Sequence, residues 1–357
     1  MPLPTTPMKA LTKRLLAWYE ENRILYPWRK TTQPYRVWLS EILLQQTRIP
    51  VAKKFYEKIL KRYPNLKDLA RAKDSDFLSL WSGIGYYGRG QNMLNCAREI
   101  VKTHRGIFPS DFSALLELPG IGKYTAGAIR NIAFGMLTPA LDGNIQRVLS
   151  RLMLSQENLE ENFLLLAKGA PPSDFFQALM ELGERICLPD PECVICPLRK
   201  NCRARKSGVQ KEFPPKKFRK ASKVFHWYLL ILNSRGATYF VQNRAREFLK
   251  NAWIFPDLLL TEEIPERTLA RRFQHIWGIE IDGLAKHSVI RHTVTFRKIH
   301  AHVLVPQSFQ LNGSNGKWLN PKDLEKHPTS SITEKALRTL QIKNRQTETA
   351  QEPLKNC

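Results

Sequence analysis

Six cysteines occur in the 357 residues, and four of them fall in one run, Cys187-LPDPE-Cys193-VI-Cys196-PLRKN-Cys202. Thiols this dense commit a loop either to a metal centre or to cross-links. The first residues, MPLPTTPMKALTKRLLAWYEENR, carry charges through their apolar positions and offer no small-residue cleavage site, so no secretory signal is expected and the chain is assigned to the cytoplasm. Thiols there stay reduced, which favours metal over disulfides. Four-thiolate zinc and an iron–sulfur cubane both use such donors. Zinc modules usually place two close CxxC pairs further apart, whereas only the central pair here is CxxC, and the iron–sulfur reading is preferred. Arg185, Arg199, Lys200, Arg203 and Arg205 surround the loop, which suits a structural centre that shapes a phosphate contact. Cys96 lies in a helical pattern and Cys357 in the tail, and both are expected to be inert.

Charge points the same way. Lys and Arg number 56 against 32 Asp and Glu, a net +24, the footprint of a partner carrying many phosphates. Nucleic acid is the leading candidate, with a nonspecific basic protein as the rival. The hydrophobic fraction of 43% supports real cores. No run reaches the roughly 18 to 20 apolar residues that a membrane span needs, so no membrane partner is expected. Two domains and a connector are expected from the length. Residues 8–204 carry helical periodicity, as in Val51 to Tyr63, Gln91 to Thr103 and Phe163 to Ala170. From Ala204 to Lys223, basic residues around Pro214-Pro215 read as a linker, bounded at 205–223. Residues 224–343 then read as a smaller α+β domain, with strands at Val224–Asn233, Ala237–Gln242 and Ile299–Pro306 and a helix at Glu266–Trp277. Residues 344–357 read as a tail, and no internal repeat is found.

Two further stretches carry chemistry. Leu118-Pro119-Gly120-Ile121-Gly122-Lys123-Tyr124-Thr125-Ala126-Gly127-Ala128 reads as helix, two-glycine turn, helix, whose free backbone N–H groups can approach a phosphate. It is a helix–hairpin–helix signature; an ordinary glycine-containing turn is the alternative. Beyond it, Leu141-Asp142-Gly143-Asn144 precedes an apolar helix, where Asp142 could serve simply as the helix cap. Glu41 is less easily explained as structural. In Pro34-Tyr35-Arg36-Val37-Trp38-Leu39-Ser40-Glu41-Ile42-Leu43-Leu44-Gln45-Gln46-Thr47, helical spacing surrounds it with Val37, Trp38, Leu44 and Gln45. Desolvation by such neighbours raises a carboxyl's pKa towards that of a general acid.

PWR from Pro27, WLSEILLQQT from Trp38, WSGIGYYGRGQN from Trp81, LPGIGKYTAGAI from Leu118, LDGNIQRV from Leu141 and the cysteine run stand in one order along the chain. In that order they resemble the A/G-specific adenine DNA glycosylases of the MutY type. The resemblance is strong over about 8–204 and weak over about 224–343. It implies a mostly α N-terminal region, a helix–hairpin–helix glycosylase fold with an iron–sulfur cluster loop, followed by a smaller α+β Nudix-like domain. It further implies a monomeric enzyme, nucleoid-associated through its DNA, that excises adenine mispaired with 8-oxoguanine or guanine in double-stranded DNA after flipping it. Glu41 matches the acid that protonates adenine N7, Asp142 the carboxylate that stabilises the oxocarbenium, and Tyr124 and Asn144 the positions supporting them. Tyr26, Trp28, Arg29 and Gln177 match the adenine pocket. Leu44, Gln46 and Tyr86 match side chains that fill or wedge the duplex, and Gly120, Gly122 and Lys123 the phosphate-binding hairpin. Cys187, Cys193, Cys196 and Cys202 match the ligands of a [4Fe-4S] cluster.

Two alternatives accompany that reading: an endonuclease III-like glycosylase with lyase activity, and a lesion-binding protein without chemistry. The lyase type carries a Schiff-base lysine where this chain has Tyr124, and Lys123 should point elsewhere, about 100° around the helix. Intact Glu41, Asp142 and Tyr124 speak against lost chemistry. The sequence also departs from the family pattern. Five residues rather than six separate Cys187 from Cys193. Where the family's lesion-recognition loop reads Phe-Ser-His, Val294-Thr295-Phe296 stands here, and Thr295 keeps the hydroxyl expected to read the damaged base. No Nudix catalytic box follows Trp253-Ile254-Phe255-Pro256, so nucleotide hydrolysis is not expected.

Overall fold

The structure, a computed structural model, describes residues 5–215, 222–243, 252–294, 297–312, 316–324, 327, 329–330 and 332–340. Contacts divide the chain into two compact units, Met1–Arg71 with Asn92–Lys217 and Ala72–Gln91 with Phe218–Cys357. The segment 72–91, read from sequence with the helical region, thus packs with the second unit: the Tyr87 hydroxyl donates to the carbonyl of Thr329.

In chain order the first half holds α1 (Thr5–Asn22), a 3-10 turn (Pro27–Lys30), α2 (Pro34–Leu44), α3 (Ile49–Arg62), α4 (Leu66–Ala70), α5 (Asp74–Leu80), α6 (Tyr87–Thr103), α7 (Phe112–Glu117), α8 (Lys123–Ala133), α9 (Gly143–Met153), α10 (Leu159–Ala167), α11 (Pro172–Arg185) and α12 (Arg203–Lys206). Apolar spacing accounts for the longer ones. In α3, for example, Ala52, Phe55, Tyr56 and Ile59 form one buried face, and a proline opens the first turn. α10 stops at Ala167, short of the expected Ala170, because the chain turns at Gly169 with φ +79°. Leu11, Leu15, Ile145, Leu149, Phe163, Phe175, Phe176 and Leu179 form the core on which α1, α9, α10 and α11 meet. The hairpin lies between α7 and α8. Asp111 caps α7 by accepting from Ala114 N at 2.9 Å, and Gly120 turns the chain at φ +79°. A side chain at Gly127 would meet Ala140 Cβ and Pro139 O at 2.8 Å, so that glycine lets α8 lie against the segment before α9.

Of the stretch read as a linker, residues 205–215 are described and locally ordered. Val209 N donates to Ala204 O at 3.0 Å and Arg151 Nε to Phe213 O at 2.7 Å, so a turn and a buried guanidinium hold part of its backbone. The excess of basic residues there masked this local order.

The second unit contains β1 (Lys223–Leu230), β2 (Asn233–Ser234), β3 (Ala237–Gln242), β4 (Trp253–Ile254), β5 (Asp257–Leu260), α13 (Glu266–Trp277), β6 (Ile279–Val294), β7 (Arg297–Leu311), β8 (Gly316–Leu319) and α14 (Pro321–Leu324). One sheet runs β5-β1-β7-β6, with β1 and β7 parallel and the other pairs antiparallel; the other joins β2-β3-β4, with β8 on β3. α13 and β3 have the bounds expected from sequence, whereas β7 extends well beyond Ile299–Pro306. Alternation along β1 sends Trp227 and Leu229 to one core and Tyr228 and Leu230 to the other, beside α13.

Candidate active site

Glu41 sits in the C-terminal half of α2, 8% exposed, on a helix where Val37 and Trp38 are buried as well. α2 packs on α8, which brings the Tyr124 hydroxyl to the carboxylate as a hydrogen-bond donor. Burial pushes Glu41 up to about 7; the Tyr124 hydrogen bond opposes that rise and the charge of Asp142 adds to it. Tyr124 is itself pushed well above its ordinary range, first by burial and then by both carboxylates. Asp142 is the cap the sequence allowed, its Oδ1 accepting from Ile145 N at 2.7 Å at the start of α9. It is more than a cap, because it lines the same cavity as Glu41.

That cavity holds about 510 Å³, the size of a site for a small molecule or a nucleobase. Glu41, Asp142, Tyr124, Asn144, Tyr26, Trp28, Arg29, Gln177, Leu44 and Gln46, which lie far apart in sequence, all line it. The 3-10 turn presents Trp28 and Arg29. Tyr26 stacks on Trp28 at 5.1 Å, and Trp28 meets Tyr56 edge-on at 5.5 Å. The Arg29 guanidinium lies 5.1 Å from the Tyr26 ring centroid. Gln177 Nε2 donates to Ser173 Oγ at 2.9 Å, and Arg147 Nη2 donates to Asn144 Oδ1 at 2.8 Å.

Some residues of the site were not anticipated from sequence. Glu181, fully buried, accepts from Ile24 N at 3.1 Å and from Arg185 Nη1 at 2.6 Å, and pairs with Arg29. It thereby fixes the guanidinium at the cavity wall. Glu184 lines the cavity too. Residues 177, 181 and 184 stand at helical spacing along α11, a signal that was available. A side chain at Gly183 would meet Asn144 Cβ at 2.8 Å, so this glycine sets how closely α11 approaches the residue beside Asp142.

The hairpin lies outside the cavity. Lys123 and Gly122 are exposed, and open space surrounds the position a Gly122 side chain would take. Gly120 is also exposed, and Lys123 is not among the lining residues. Tyr86, 47% exposed with φ 52°, belongs to the segment grouped with the second unit. Thr295 lies outside the described residues.

The four cysteines lie on the loop between α11 and α12, each partly buried and none in a disulfide. Burial pushes the Cys196 thiol up to about 12, and the charges of Cys187, Cys202 and Cys193 add to the rise. Arg151, 3% exposed, ties this loop down: it donates to Leu188 O at 2.5 Å, Pro189 O at 2.8 Å and Cys187 Sγ at 3.5 Å. Arg147 Nε adds a bond to Cys187 O at 2.6 Å. A thiol-only donor set beside a buried cation fits an anionic thiolate cluster.

Residues 39–171 match the family described as HhH-GPD superfamily base excision DNA repair protein. The chain is 35% identical over 261 residues to the adenine DNA glycosylase of Buchnera aphidicola subsp. Acyrthosiphon pisum, covering 70% of this chain and 74% of that protein. It is 38% identical over 217 residues to the adenine DNA glycosylase of Homo sapiens, covering 56% of this chain and 40% of that one. Among solved structures, a thermostable thymine-DNA glycosylase shares 31% identity with a TM-score of 0.53, covering 57% of this chain and 98% of that one.

Proposed function

The chain belongs to the adenine DNA glycosylase family, and we propose that it hydrolyses the N-glycosidic bond of adenine mispaired with 8-oxoguanine or guanine in duplex DNA. The observation that carries this reading is a carboxyl pushed up to about 7, held by a tyrosine hydroxyl, in one nucleobase-sized cavity with a second carboxylate. A base inside a duplex cannot enter such a cavity, so adenine is rotated out of the stack first. Trp28 and Tyr26 offer flat faces for the ring, and Gln177 and Arg29 offer hydrogen-bonding groups to its edge.

Glu41, protonated near neutral pH, gives its proton to adenine N7, which turns the base into a neutral leaving group as the bond to C1′ breaks. Positive charge then develops on the sugar. Asp142, with one oxygen bound at the start of α9, presents its carboxylate to that charge. Water adds to C1′, leaving an abasic site, and its spare proton balances the one given to adenine. Asn144, held by Arg147, and Tyr124 keep the two carboxylates in register. Cys187, Cys193, Cys196 and Cys202 would hold a [4Fe-4S] cluster. When bound, it supplies four iron–thiolate bonds that fix the loop. The hairpin glycines and Lys123 meet phosphate, Leu44, Gln46 and Tyr86 support the opened duplex, and the second unit acts as a Nudix-like sensor of the opposite base through Thr295. A cytoplasmic, nucleoid-associated location follows from that substrate.

Single-turnover assays on duplexes carrying adenine opposite 8-oxoguanine, guanine or thymine test the proposal. Free adenine should appear rapidly from the first two and not from the third, with the strand intact until alkali is added. Release from none, or strand cleavage with a borohydride-trapped covalent adduct, would favour the non-catalytic or the lyase reading.

A further inference from the structure

Three histidines crowd one end of a sheet face in the second unit. β1 and β7 run parallel with His226 opposite His300 and Tyr228 opposite His302, so alternation sends all four side chains to the same face. Further along, that face becomes apolar at Leu230 and Leu304, which pack with α13. The histidines therefore close off a hydrophobic stripe. His226 Nδ1 lies 3.0 Å from His302 Nε2, and the Tyr228 ring stacks on His302 at 4.6 Å. Glu263, just beyond β5, completes the group: one ligand atom from each of His226, Glu263 and His302 lies within 4.8 Å of the other two.

We propose that His226, His302 and Glu263 form a zinc-binding site that staples β1, β7 and the loop after β5. Two imidazoles and a carboxylate are zinc donors, and the fourth position would be left to water. Tetrahedral zinc with bonds of about 2.0–2.1 Å sets two ligand nitrogens about 3.4 Å apart, so the 3.0 Å pair needs only a few tenths of an ångström of separation. No described group bonds His302 Nδ1, so nothing fixes the ring proton on Nε2. The competing cation is Lys286, whose ammonium lies 3.0 Å from Glu263 Oε1; both side chains are about half exposed. Nothing in the adenine cavity enters this site.

The test uses the full-length, cluster-loaded protein, incubated with zinc chloride and freed of unbound metal by gel filtration. Elemental analysis should find one zinc per chain with iron unchanged, and a melting temperature raised by zinc. Glu263→Gln, a surface change that leaves the fold intact, should weaken zinc binding at least about tenfold, as should His226→Gln. Lys286→Gln should tighten it several-fold, because a like charge next to the cation is removed. The proposal is overturned if the wild type retains no zinc, if zinc enters only as iron leaves, or if Glu263→Gln binds zinc as tightly as wild type.

Discussion

Glu41 can hold a proton near neutral pH because burial keeps water from it, while Tyr124 limits how far its pKa rises. A hydroxyl donating to a carboxylate favours the ionised form, so its loss raises the pKa further. Tyr124→Phe should therefore shift the basic limb of the single-turnover pH profile from about 7 to higher pH, and an unmoved limb would remove Tyr124 from that role. The same burial bears on stability. Between the ordinary carboxylate value of 4.5 and the folded value of about 7, the unfolded chain ionises Glu41 and the folded chain does not, so stability falls as pH rises through that window. Glu41→Gln should melt above the wild type at pH 8 and converge on it near pH 4.5. A difference independent of pH would contradict the burial account. Glu41 was legible in the sequence because its apolar neighbours are local, at helical spacing. Helical spacing with Gln177 could have placed Glu181 at the site, but its pairing with Arg29, 152 residues away on a different element, is encoded by no local pattern.

α9 links the cavity to the cysteine loop. Its first turn carries Asp142 as cap and Asn144, its second carries Arg147, bonded to both Asn144 and Cys187, and its third carries Arg151, bonded to Leu188, Pro189 and Phe213. A disturbance of the loop should thus reach the carboxylate. Arg151→Met keeps the length of the side chain but leaves three carbonyls without their donor, a loss of about 2–3 kcal/mol. Its melting temperature should fall by several degrees and its iron content with it. Unchanged values of both would mean that α9 does not brace the loop. The helices, the hairpin turn and the cysteine run were readable, since periodicity, glycine and thiol spacing are local signals. β6 as a strand and the folding of residues 205–215 were not: register with β7 forms the one, and Arg151 holds Phe213 in the other from a distance.

Across the whole molecule, the +24 charge gives a long-range attraction to phosphate, whereas the carboxylates of the proposed chemistry lie in one cavity of the first unit. Binding and catalysis should therefore come apart on mutation. The most direct measurement is single-turnover adenine release from an adenine:8-oxoguanine duplex by full-length Glu41→Gln, with duplex affinity determined on the same preparation. Gln keeps the size and the hydrogen-bonding reach of Glu but has no proton to give. The rate should fall at least about a hundredfold, within the range that general acid catalysis supplies, while affinity changes less than about threefold. A rate within tenfold of wild type would show that adenine leaves without the Glu41 proton, and the catalytic account would fail.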